Sequence, residues 1–279
     1  MNRIADAYLL LDDSCKSNVS IKDFESQNKN VFSGSTFSII RESHEKDTVK
    51  STSGFEMVNN FYDSTHKDTI SLKMNVNLIQ KGDKWKVVYL QEKLEDYLMG
   101  NNHIRIYKSY NKTKFNEAGK QMPHTQRWFF EGRNLIIEGK TIFQNRVASM
   151  TKETCILTSD QLKSIKAEND NVFNGYSSFE GSDILLKFPT PNKNQKWENL
   201  YEGQKKSKHN FIAENSIYKY KGKYHKAIKV TCLVEFTTND GNTDKYLLID
   251  YYLYKIGRVK STQYSEFGDE KLSENIEIN

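Results

Sequence analysis

The fold is decided by the stretch AIKVTCLVEF (227–236), TTNDGNT (237–243), DKYLLIDYYLY (244–254), KIG (255–257) and RVKSTQY (258–264). Apolar residues occupy every second position from Ile228 to Phe236, as in a strand that is covered on one side. Residues 239–242 tolerate positive φ or bond their own backbone, which favours a tight hairpin. Residues 246–254 are apolar on both faces, which is typical of a central strand, and Gly257 permits a second reversal. The stretch therefore predicts three antiparallel strands.

The preceding chain shows the same period in several places. Alternation predicts strands within 36–40, 54–62, 70–78 and 85–89, then within 127–130, 134–138, 140–144 and 147–157. Residues 159–166 are predicted to form a single helical turn. Residues 172–182 are rich in Gly, Ser and Asn, which predicts a loop.

Near the start of the chain the spacing is helical. Apolar residues of Ile4–Leu11 recur at i, i+3, i+4 and i+7. A second helix is expected from Ser20 to about Val31, because Ser20 with Asp23 resembles a capping box.

These patterns predict an α+β fold that is mostly antiparallel β. We expect a small N-terminal domain of helices and a curved sheet, residues 1–105, followed by a larger antiparallel β-sheet domain, residues 106–279, in the form of an open barrel or half-barrel. The boundary is placed where the composition becomes polar and rich in Lys and Asn. At 279 residues the chain is long enough for two cores.

The charge of the chain is unevenly distributed. Residues 1–100 hold 13 Lys or Arg and 15 Asp or Glu, whereas the remainder holds 28 and 21. Tyr218-Lys219-Tyr220-Lys221 interleaves aromatic and basic residues as single-strand binders do. A strand with one covered Tyr face and one solvated Lys face is the better interpretation of this pattern. Because the basic excess is spread over many elements, the sequence does not favour a nucleic-acid partner.

The sequence predicts no cofactor and no metal site. Cys15, Cys155 and Cys232 are far apart and have no zinc-ligand spacing, and Cys232 is expected to be a small core residue. Asp240–Asp244 has alternating oxygen ligands, but Lys245 stands where a calcium loop needs Gly, so a hairpin turn is the better interpretation.

No run approaches the roughly 18 apolar residues that a membrane-spanning helix requires, so no transmembrane segment is expected. The apolar centre at Ala7–Leu11 is too short for a signal peptide and is followed by two Asp residues. We therefore expect a folded, soluble chain. The sequence as given carries no signal peptide, which leaves a cytoplasmic location open.

Two N-terminal helices followed by about four strands that end in Lys84-Trp85-Lys86-Val87-Val88 resemble the cone-shaped fold of the SnoaL and ketosteroid isomerase superfamily over about residues 2–92. This superfamily includes enzymes, ligand-binding modules and structural modules, so the resemblance implies a cone without implying a reaction. An apolar pocket would be lined by Phe37, Phe55, Met57, Leu72 and Trp85. Glu42, His44, Asp63 and His66 are the candidates for a base there, but they lie beside predicted turns, and no catalytic residue is assigned.

The later part of the chain has a second resemblance. Its residues are Ile184-Leu185-Leu186-Lys187-Phe188-Pro189, Trp197, Gly222-Lys223-Tyr224 leading into Val230, and Tyr251-Tyr252-Leu253-Tyr254-Lys255-Ile256-Gly257-Arg258-Val259-Lys260. In this order they resemble TapB-like bacterial extracytoplasmic lipoprotein domains, and Trp128-Phe129-Phe130-Glu131-Gly132 is similar to the opening strand of that group. The resemblance covers about residues 110–279. It implies a curved antiparallel sheet and a protein of the cell envelope or periplasm, with no activity to transfer.

Three hypotheses for function follow. The first is a non-enzymatic, envelope-associated or lipoprotein-like binding or scaffold protein, whose partner is a protein or an apolar ligand. The second is a small-molecule carrier or enzyme that uses the N-terminal cone pocket. The third is an immunity or inhibitor protein whose basic second half binds an acidic partner protein.

Overall fold

The structure, a computed structural model, describes residues 3–17, 19–28, 36–46, 51–63, 67–88, 92–98, 104–111, 122–143, 146–172, 175–189, 193–201, 206–237, 241–265 and 271–277. In these ranges the chain forms four short helices and sixteen strands. The helices are α1 (Arg3–Leu9), α2 (Asp13–Lys16), α3 (Ile21–Asn28) and α4 (Glu95–Leu98). The first strands are β1 (Thr36–Lys46), β2 (Ser51–Asp63), β3 (Asp68–Lys81), β4 (Lys84–Val88), β5 (Ile104–Asn111), β6 (Met122–Glu131), β7 (Asn134–Phe143) and β8 (Arg146–Leu157). The remaining strands are β9 (Gln161–Asn171), β10 (Gly175–Lys187), β11 (Gln195–Tyr201), β12 (Ser207–Tyr220), β13 (Lys223–Thr237), β14 (Thr243–Leu253), β15 (Gly257–Ser265) and β16 (Lys271–Glu277).

The strands form two antiparallel sheets, which confirms the predicted fold class of mostly antiparallel β with few helices. The chain divides into two compact units: residues 1–92 with 219–225, and residues 93–218 with 226–279. The predicted domains, 1–105 and 106–279, stay a prediction. None of the described helices is long and apolar enough to cross a membrane.

The first unit contains a four-stranded sheet in the order β1-β2-β3-β4. Its strands are paired antiparallel over their length, because each consecutive pair is joined as a hairpin. Three short helices precede the sheet where two were expected. The predicted N-terminal cap of α3 is present: the backbone N–H of Asp23 donates to Ser20 Oγ at 3.2 Å.

A loop between α1 and α2 attaches the helical segment to strand β4. Asp12 N–H donates to the carbonyl of Val87 at 2.9 Å, and Val87 N–H donates to the carbonyl of Leu10 at 2.9 Å. Leu11, which lies between these two bonds, is buried with Cys15 in a small apolar cluster. Backbone bonding therefore holds the helices against the edge of the sheet.

Asp12 is also the N-cap of α2 and an ion-pair partner. Its Oδ1 accepts from the backbone N–H of Ser14 at 3.0 Å, and its Oδ2 lies 2.6 Å from Lys81 Nζ. The pKa of Asp12 is held well below its ordinary value, mainly by the hydrogen bond from Lys81 and then by the hydrogen bonds from Ser14.

The second unit is an open twelve-stranded sheet in the order β10-β9-β8-β7-β6-β5-β16-β15-β14-β13-β12-β11. The stretch 227–264 forms the three antiparallel strands β13, β14 and β15, as predicted. Thr237 pairs directly with Thr243, which confirms the hairpin, and β14 lies between its two neighbours, as its two apolar faces indicated. The C-terminal strand β16 pairs with β5, so strands distant in sequence join the two halves of the sheet.

One face of this sheet carries the main apolar core, and we call it the inner face. Leu135, Cys155, Ala213 and Ile228 are fully buried there, together with Trp197. The helix α4 adds Leu94, Tyr97 and Leu98 to the same cluster, with the Tyr97 ring 5.5 Å from that of Tyr254. Cys232 is also buried and free, as expected of a small core residue.

Two local predictions for this unit are wrong. Residues 161–171 form strand β9 where a helical turn was expected, and residues 175–187 form strand β10 where most of the segment was expected to be a loop. The two strands pair with each other from Gly175 and Asn171 onward. The first eight residues of β10 are exposed, so this strand has no apolar alternation that a sequence pattern would reveal.

The burial of the inner face predicts that truncation of two isoleucines in neighbouring strands lowers the free energy of unfolding by different amounts. Ile228→Ala is expected to lower the free energy of unfolding by about 2–5 kcal/mol, because it leaves a cavity in a buried cluster. Ile212, which is 37% exposed on β12, is the matched control, and Ile212→Ala is expected to cost less than about 1 kcal/mol. Urea unfolding followed by circular dichroism measures both. Equal costs would contradict the assignment of the inner face.

The Asp12–Lys81 pair predicts a pH dependence in the first unit. Asp12→Asn keeps a capping side chain but loses the ion pair, so it is expected to lower the melting temperature at pH 7. Because the folded-state pKa is depressed, this stabilisation is present above the unfolded-state pKa. The difference from wild type should therefore shrink as the pH falls below about 4. Asp13→Asn, at a largely exposed neighbouring carboxylate, is the control, and thermal melts from pH 2 to 7 give the comparison. An unchanged difference at low pH would show that the ion pair is not the cause.

Candidate functional site

The two edge strands of the twelve-stranded sheet meet through side chains at a line that we call the seam. Trp197 Nε1 donates to the carbonyl of Ile184 at 2.8 Å, and Asn199 Nδ2 donates to the same carbonyl at 3.0 Å. The backbone N–H of Ile184 donates to Asn199 Oδ1 at 3.3 Å. Because β10 and β11 are the two ends of the sheet, these bonds bring its edges together around the inner face.

The inner face changes from apolar to polar along its strands. On β8 the residues with inward positions run from Cys155, which is fully buried, to Glu153 and then to Thr151 and Ser149. Register with β7 places Glu153 beside Ile137, a core residue. A carboxylate therefore stands at the border between the closed core and the polar half of the face.

Arg258 lies at the centre of this border. Its Nη2 donates to Gln126 Oε1 at 2.9 Å, which joins β15 to β6. Its positive charge acts on Glu153, on Asp250 and on His124. The charge of one guanidinium thus acts on two carboxylates that belong to different strands.

Burial shifts the titration of these groups. Burial is the main reason why the pKa values of Glu153 and Asp250 are raised, and in each case the charge of Arg258 opposes the rise. Asp250 Oδ1 is fully buried and has no hydrogen-bond partner among the described residues. Burial also lowers the pKa of His124, and the nearby Arg258 lowers it further, so this imidazole is neutral at pH 7.

Five aromatic side chains follow the inner face next to the seam, and we call them the aromatic row. The ring centroids of Phe179 and Tyr201 are 6.3 Å apart, those of Tyr201 and His209 are 4.6 Å apart, and those of His209 and Phe211 are 6.1 Å apart. Phe211 stacks on Trp197 at 4.9 Å with an interplanar angle of 1°. The row thus runs from an exposed ring, Phe179, to the buried Trp197.

Asp183 lies beside this row. Burial, followed by the charge of Asp183, raises the pKa of Tyr201 to about 12. Burial lowers the pKa of His209, and Asp183 opposes that change. The carboxylate therefore lies within electrostatic reach of Tyr201, His209 and Glu153.

The thiols of this unit are not placed for nucleophilic chemistry. Burial raises the pKa of Cys155, with the charge of Glu153 as a second cause, and burial raises the pKa of Cys232 to about 12. Both therefore remain protonated at neutral pH. Over the described ranges no group of three His, Cys, Asp or Glu side chains is arranged to hold a metal ion.

A cleft of about 270 Å³ opens near the ends of β11–β14, and Tyr201 of the aromatic row is one of its lining residues. Two of its charged lining residues are already paired, because Lys208 lies 2.7 Å from Glu198 and Glu235 lies 3.1 Å from Lys245. These partners make the cleft a weaker candidate than the inner face.

The five residues predicted to line a pocket in the first unit occupy backbone register positions of the same parity in its sheet. Phe37 pairs with Asn59, which pairs with Leu72, and Phe55 and Met57 occupy alternate positions of the same strand β2. Trp85 pairs with Gln80, which has the same parity on β3 as Leu72. Leu72 is buried, whereas Trp85 is 43% exposed. A ligand pocket on this face stays a prediction.

The other sequence candidates are scattered. Glu42 and His44 lie on β1, Asp63 ends β2, and His66 falls outside the described residues. Part of the segment considered as a calcium loop, 238–240, is also outside them.

On β12 the segment 218–221 has half-buried Tyr and exposed Lys side chains, as the strand interpretation predicted. Tyr218 packs on Tyr251 with ring centroids 4.3 Å apart, in the second unit.

Comparison with known proteins gives distant structural similarity only. No family model and no curated protein matches the chain. A candidate exported protein with a YmcC-like fold from Bacteroides fragilis is 9% identical over 65% of this chain and 96% of its own, with a TM-score of 0.35. A candidate lipoprotein from Parabacteroides distasonis is 8% identical over 67% of this chain and 98% of its own, with a TM-score of 0.40. Scores below 0.5 carry no argument about function, and the TapB-like and SnoaL-like resemblances stay predictions.

Asp250 predicts a pH dependence of opposite sign to that of Asp12. Because its folded-state pKa is raised, the folded protein holds this proton more tightly, and stability is lost as the pH rises through the interval between the unfolded-state and folded-state values. Asp250→Asn is therefore expected to lose less stability than wild type between pH 4 and pH 7. Asp170→Asn, at an exposed position of β9, is the control. Urea unfolding at both pH values tests this, and an unchanged pH dependence in Asp250→Asn would contradict the burial of the carboxylate.

Proposed function

We propose that this protein is a non-enzymatic binding protein of the cell envelope and that it holds a small ligand on the inner face of its second unit. The observation that carries the proposal is the border of charged and amide side chains on that face, formed by Glu153, Asp250, Arg258 and Gln126. These groups project from four different strands and meet above a closed apolar core. Convergent polar groups beside apolar walls are typical of small-molecule sites.

Energetics support a role beyond folding for this border. Charged groups are costly to bury, and replacement of a buried ionic cluster by apolar residues is often neutral or stabilising. Here Asp250 Oδ1 is buried without a hydrogen bond among the described residues, so the cluster is not fully satisfied by the protein. A ligand that donates hydrogen bonds would supply what the strands do not.

A binding role is favoured over catalysis by the chemistry of the described groups. The buried thiols of Cys155 and Cys232 are protonated, and neither is activated by a neighbouring base. Arg258 and Gln126 hold each other in place, as expected for groups that orient a bound molecule.

The proposed location rests on the resemblance to extracytoplasmic lipoprotein domains. The residues that carry it lie on structurally important elements of the second unit: Ile184 and Trp197 form the seam, and Gly257 begins β15. Arg258 departs from the pattern of that group, which has an apolar residue there. The resemblance therefore involves the seam beside the proposed site and not the charged residues of the site itself. Fractionation of the native host, with antibody detection, tests the location, and recovery only from the cytosol would remove this part of the proposal.

The binding role is tested by native mass spectrometry of the full chain purified from its host, followed by thermal-shift screening of a metabolite library. We expect a retained or added small molecule to raise the melting temperature, and Glu153→Gln and Arg258→Met to weaken its binding by about tenfold or more, because each removes a hydrogen-bonded charge. Asp170→Asn is the control for a folded protein with an unaltered inner face. If the affinity of every ligand found is unchanged in both inner-face variants, the proposed site is wrong.

The two other hypotheses remain as alternatives to this proposal. The shared register parity of Phe55, Met57 and Leu72 on β2 and β3 supports a carrier or enzyme site in the first unit. Loss of binding in Trp85→Leu, together with full binding in Glu153→Gln, would favour that alternative. The immunity or inhibitor hypothesis predicts instead capture of an acidic protein that is released by high salt.

A further inference from the structure

We infer that the ligand of the inner face is an organic cation, with its ammonium group held at the seam between the Asp183 carboxylate and the aromatic row. This inference rests on the proposed function and specifies the ligand class and the place of its charged group. It is carried by two features at the seam: an acidic side chain with no cationic partner among the described residues, and a series of aromatic rings that are open at one end.

The charge balance of the inner face favours a cation. Across β6–β10 and β11–β15, the described inner-face positions include the carboxylates of Glu153, Asp183 and Asp250, and their cation is Arg258. Arg258 serves Glu153 and Asp250. Among the described residues no Lys, Arg or His nitrogen lies within 4.0 Å of Asp183, so its charge has no ion-pair partner there. A half-buried carboxylate in that position favours a ligand of opposite charge.

The aromatic row supplies the second contact. The face of an aromatic ring is negative and attracts a cation within about 6 Å of its centroid. Phe179 is 41% exposed and Tyr201 is half-buried, so both rings present surface to the polar half of the inner face. Asp183 directly precedes Ile184, whose backbone N–H donates to Asn199 Oδ1 at 3.3 Å, and Tyr201 follows Asn199 by two residues on β11, so the carboxylate and the ring lie at the same part of the seam. A cation beside Tyr201 would therefore contact a ring and a carboxylate together.

A glycine fixes the open end of the row. At Gly181 a Cβ atom would stand 2.1 Å from Cζ of Phe179, so the Phe179 ring lies directly over this residue. The φ of Gly181 is not in the left-handed region, so the absence of a side chain, and not the backbone conformation, gives the ring this space. The ring thus lies over Gly181 and beside Tyr201, and the planes of the two rings are inclined by 58°.

Other ligand classes fit less well. A hard metal ion requires several oxygen ligands in one cluster, and the described residues include no such group. A neutral sugar would stack on the aromatic rings but would leave the Asp183 charge uncompensated. An anion would be repelled by the three carboxylates. An alkylated ammonium group matches both the rings and the charge, because its weakly hydrated surface is easily transferred to an aromatic site.

The experiment compares two probes of the same shape by isothermal titration calorimetry with the full chain. Choline carries a quaternary ammonium group, and 3,3-dimethylbutan-1-ol is its neutral isostere. Choline is expected to bind, and the neutral alcohol is expected to bind about tenfold more weakly or not at all, because only the cation gains the ring and carboxylate contacts. Equal binding of both probes, or binding of neither, would overturn the inference.

Matched variants locate the charge. Asp183→Asn keeps the shape of the side chain and is expected to weaken choline binding by about tenfold or more. Asp170→Asn, on the outer face of the adjacent strand, should leave the dissociation constant unchanged. Loss of binding in both variants would mean that the effect is one of overall charge and would overturn the assignment to Asp183.

Variants of the row separate the ring from the hydroxyl group. Tyr201→Phe keeps the ring and is expected to retain choline binding, whereas Phe179→Leu should weaken it by about threefold to tenfold. Gly181→Ala should act like Phe179→Leu, because its methyl group displaces the same ring. If Tyr201→Phe and Phe179→Leu have equal effects, the rings do not act through their faces.

The outcome is distinguishable from a failure of the proposed function. If neutral or anionic compounds from the library bind the inner face and lose affinity in Glu153→Gln, the binding role stands and the cation assignment is wrong. If choline binds but its affinity is unchanged in Asp183→Asn and Phe179→Leu, the seam is not the site.

Discussion

The second unit depends on one carbonyl oxygen. The carbonyl of Ile184 on β10 accepts hydrogen bonds from two side chains of β11, Trp197 and Asn199. The strands β10 and β11 are the opposite edges of the twelve-stranded sheet. An open sheet of this size has two edges with unpaired backbone N–H and C=O groups, and the side-chain hydrogen bonds at the seam provide partners for some of these groups. They also bring together inner-face residues that would otherwise lie many strands apart. The core and the proposed site both exist because the edges meet.

The seam explains why apolar and polar side chains share one face. Near Ile184 the edges are close, water is excluded, and the inward positions are Leu186, Trp197 and Ile228. Farther along β10 the first eight residues are exposed, and the inward positions of neighbouring strands become Ser, Thr, Asn and Glu. The border between these regions is where burial is partial, so charged groups there have shifted pKa values yet remain within reach of a ligand. Arg258 and Glu153 lie on that border.

Most of the sheet could be predicted from the sequence, and the site could not. Alternation is local, so strands such as β13 and β3 are visible in the order of their residues. The pairing of β16 with β5 and the meeting of Ile184 with Asn199 join residues far apart in the chain, and no local pattern records them. One signal of the site was nevertheless present: Asp250 interrupts a strand that is otherwise apolar on both faces, and a lone carboxylate in such a strand needs a buried partner.

The strand that was mistaken for a loop contributes most to the proposed specificity. β10 was hidden because Gly, Ser and Asn weaken a strand and occur more often in turns. As an edge strand it pairs with β9 on one side only, so packing does not demand large apolar residues there, and Gly181 is tolerated. The same glycine leaves room for the Phe179 ring to lie along the strand beside Tyr201. A sequence with better strand propensity at this position would give a more regular edge and would displace the ring that the proposed cation needs. The weak propensity of β10 is therefore a consequence of the site that it forms.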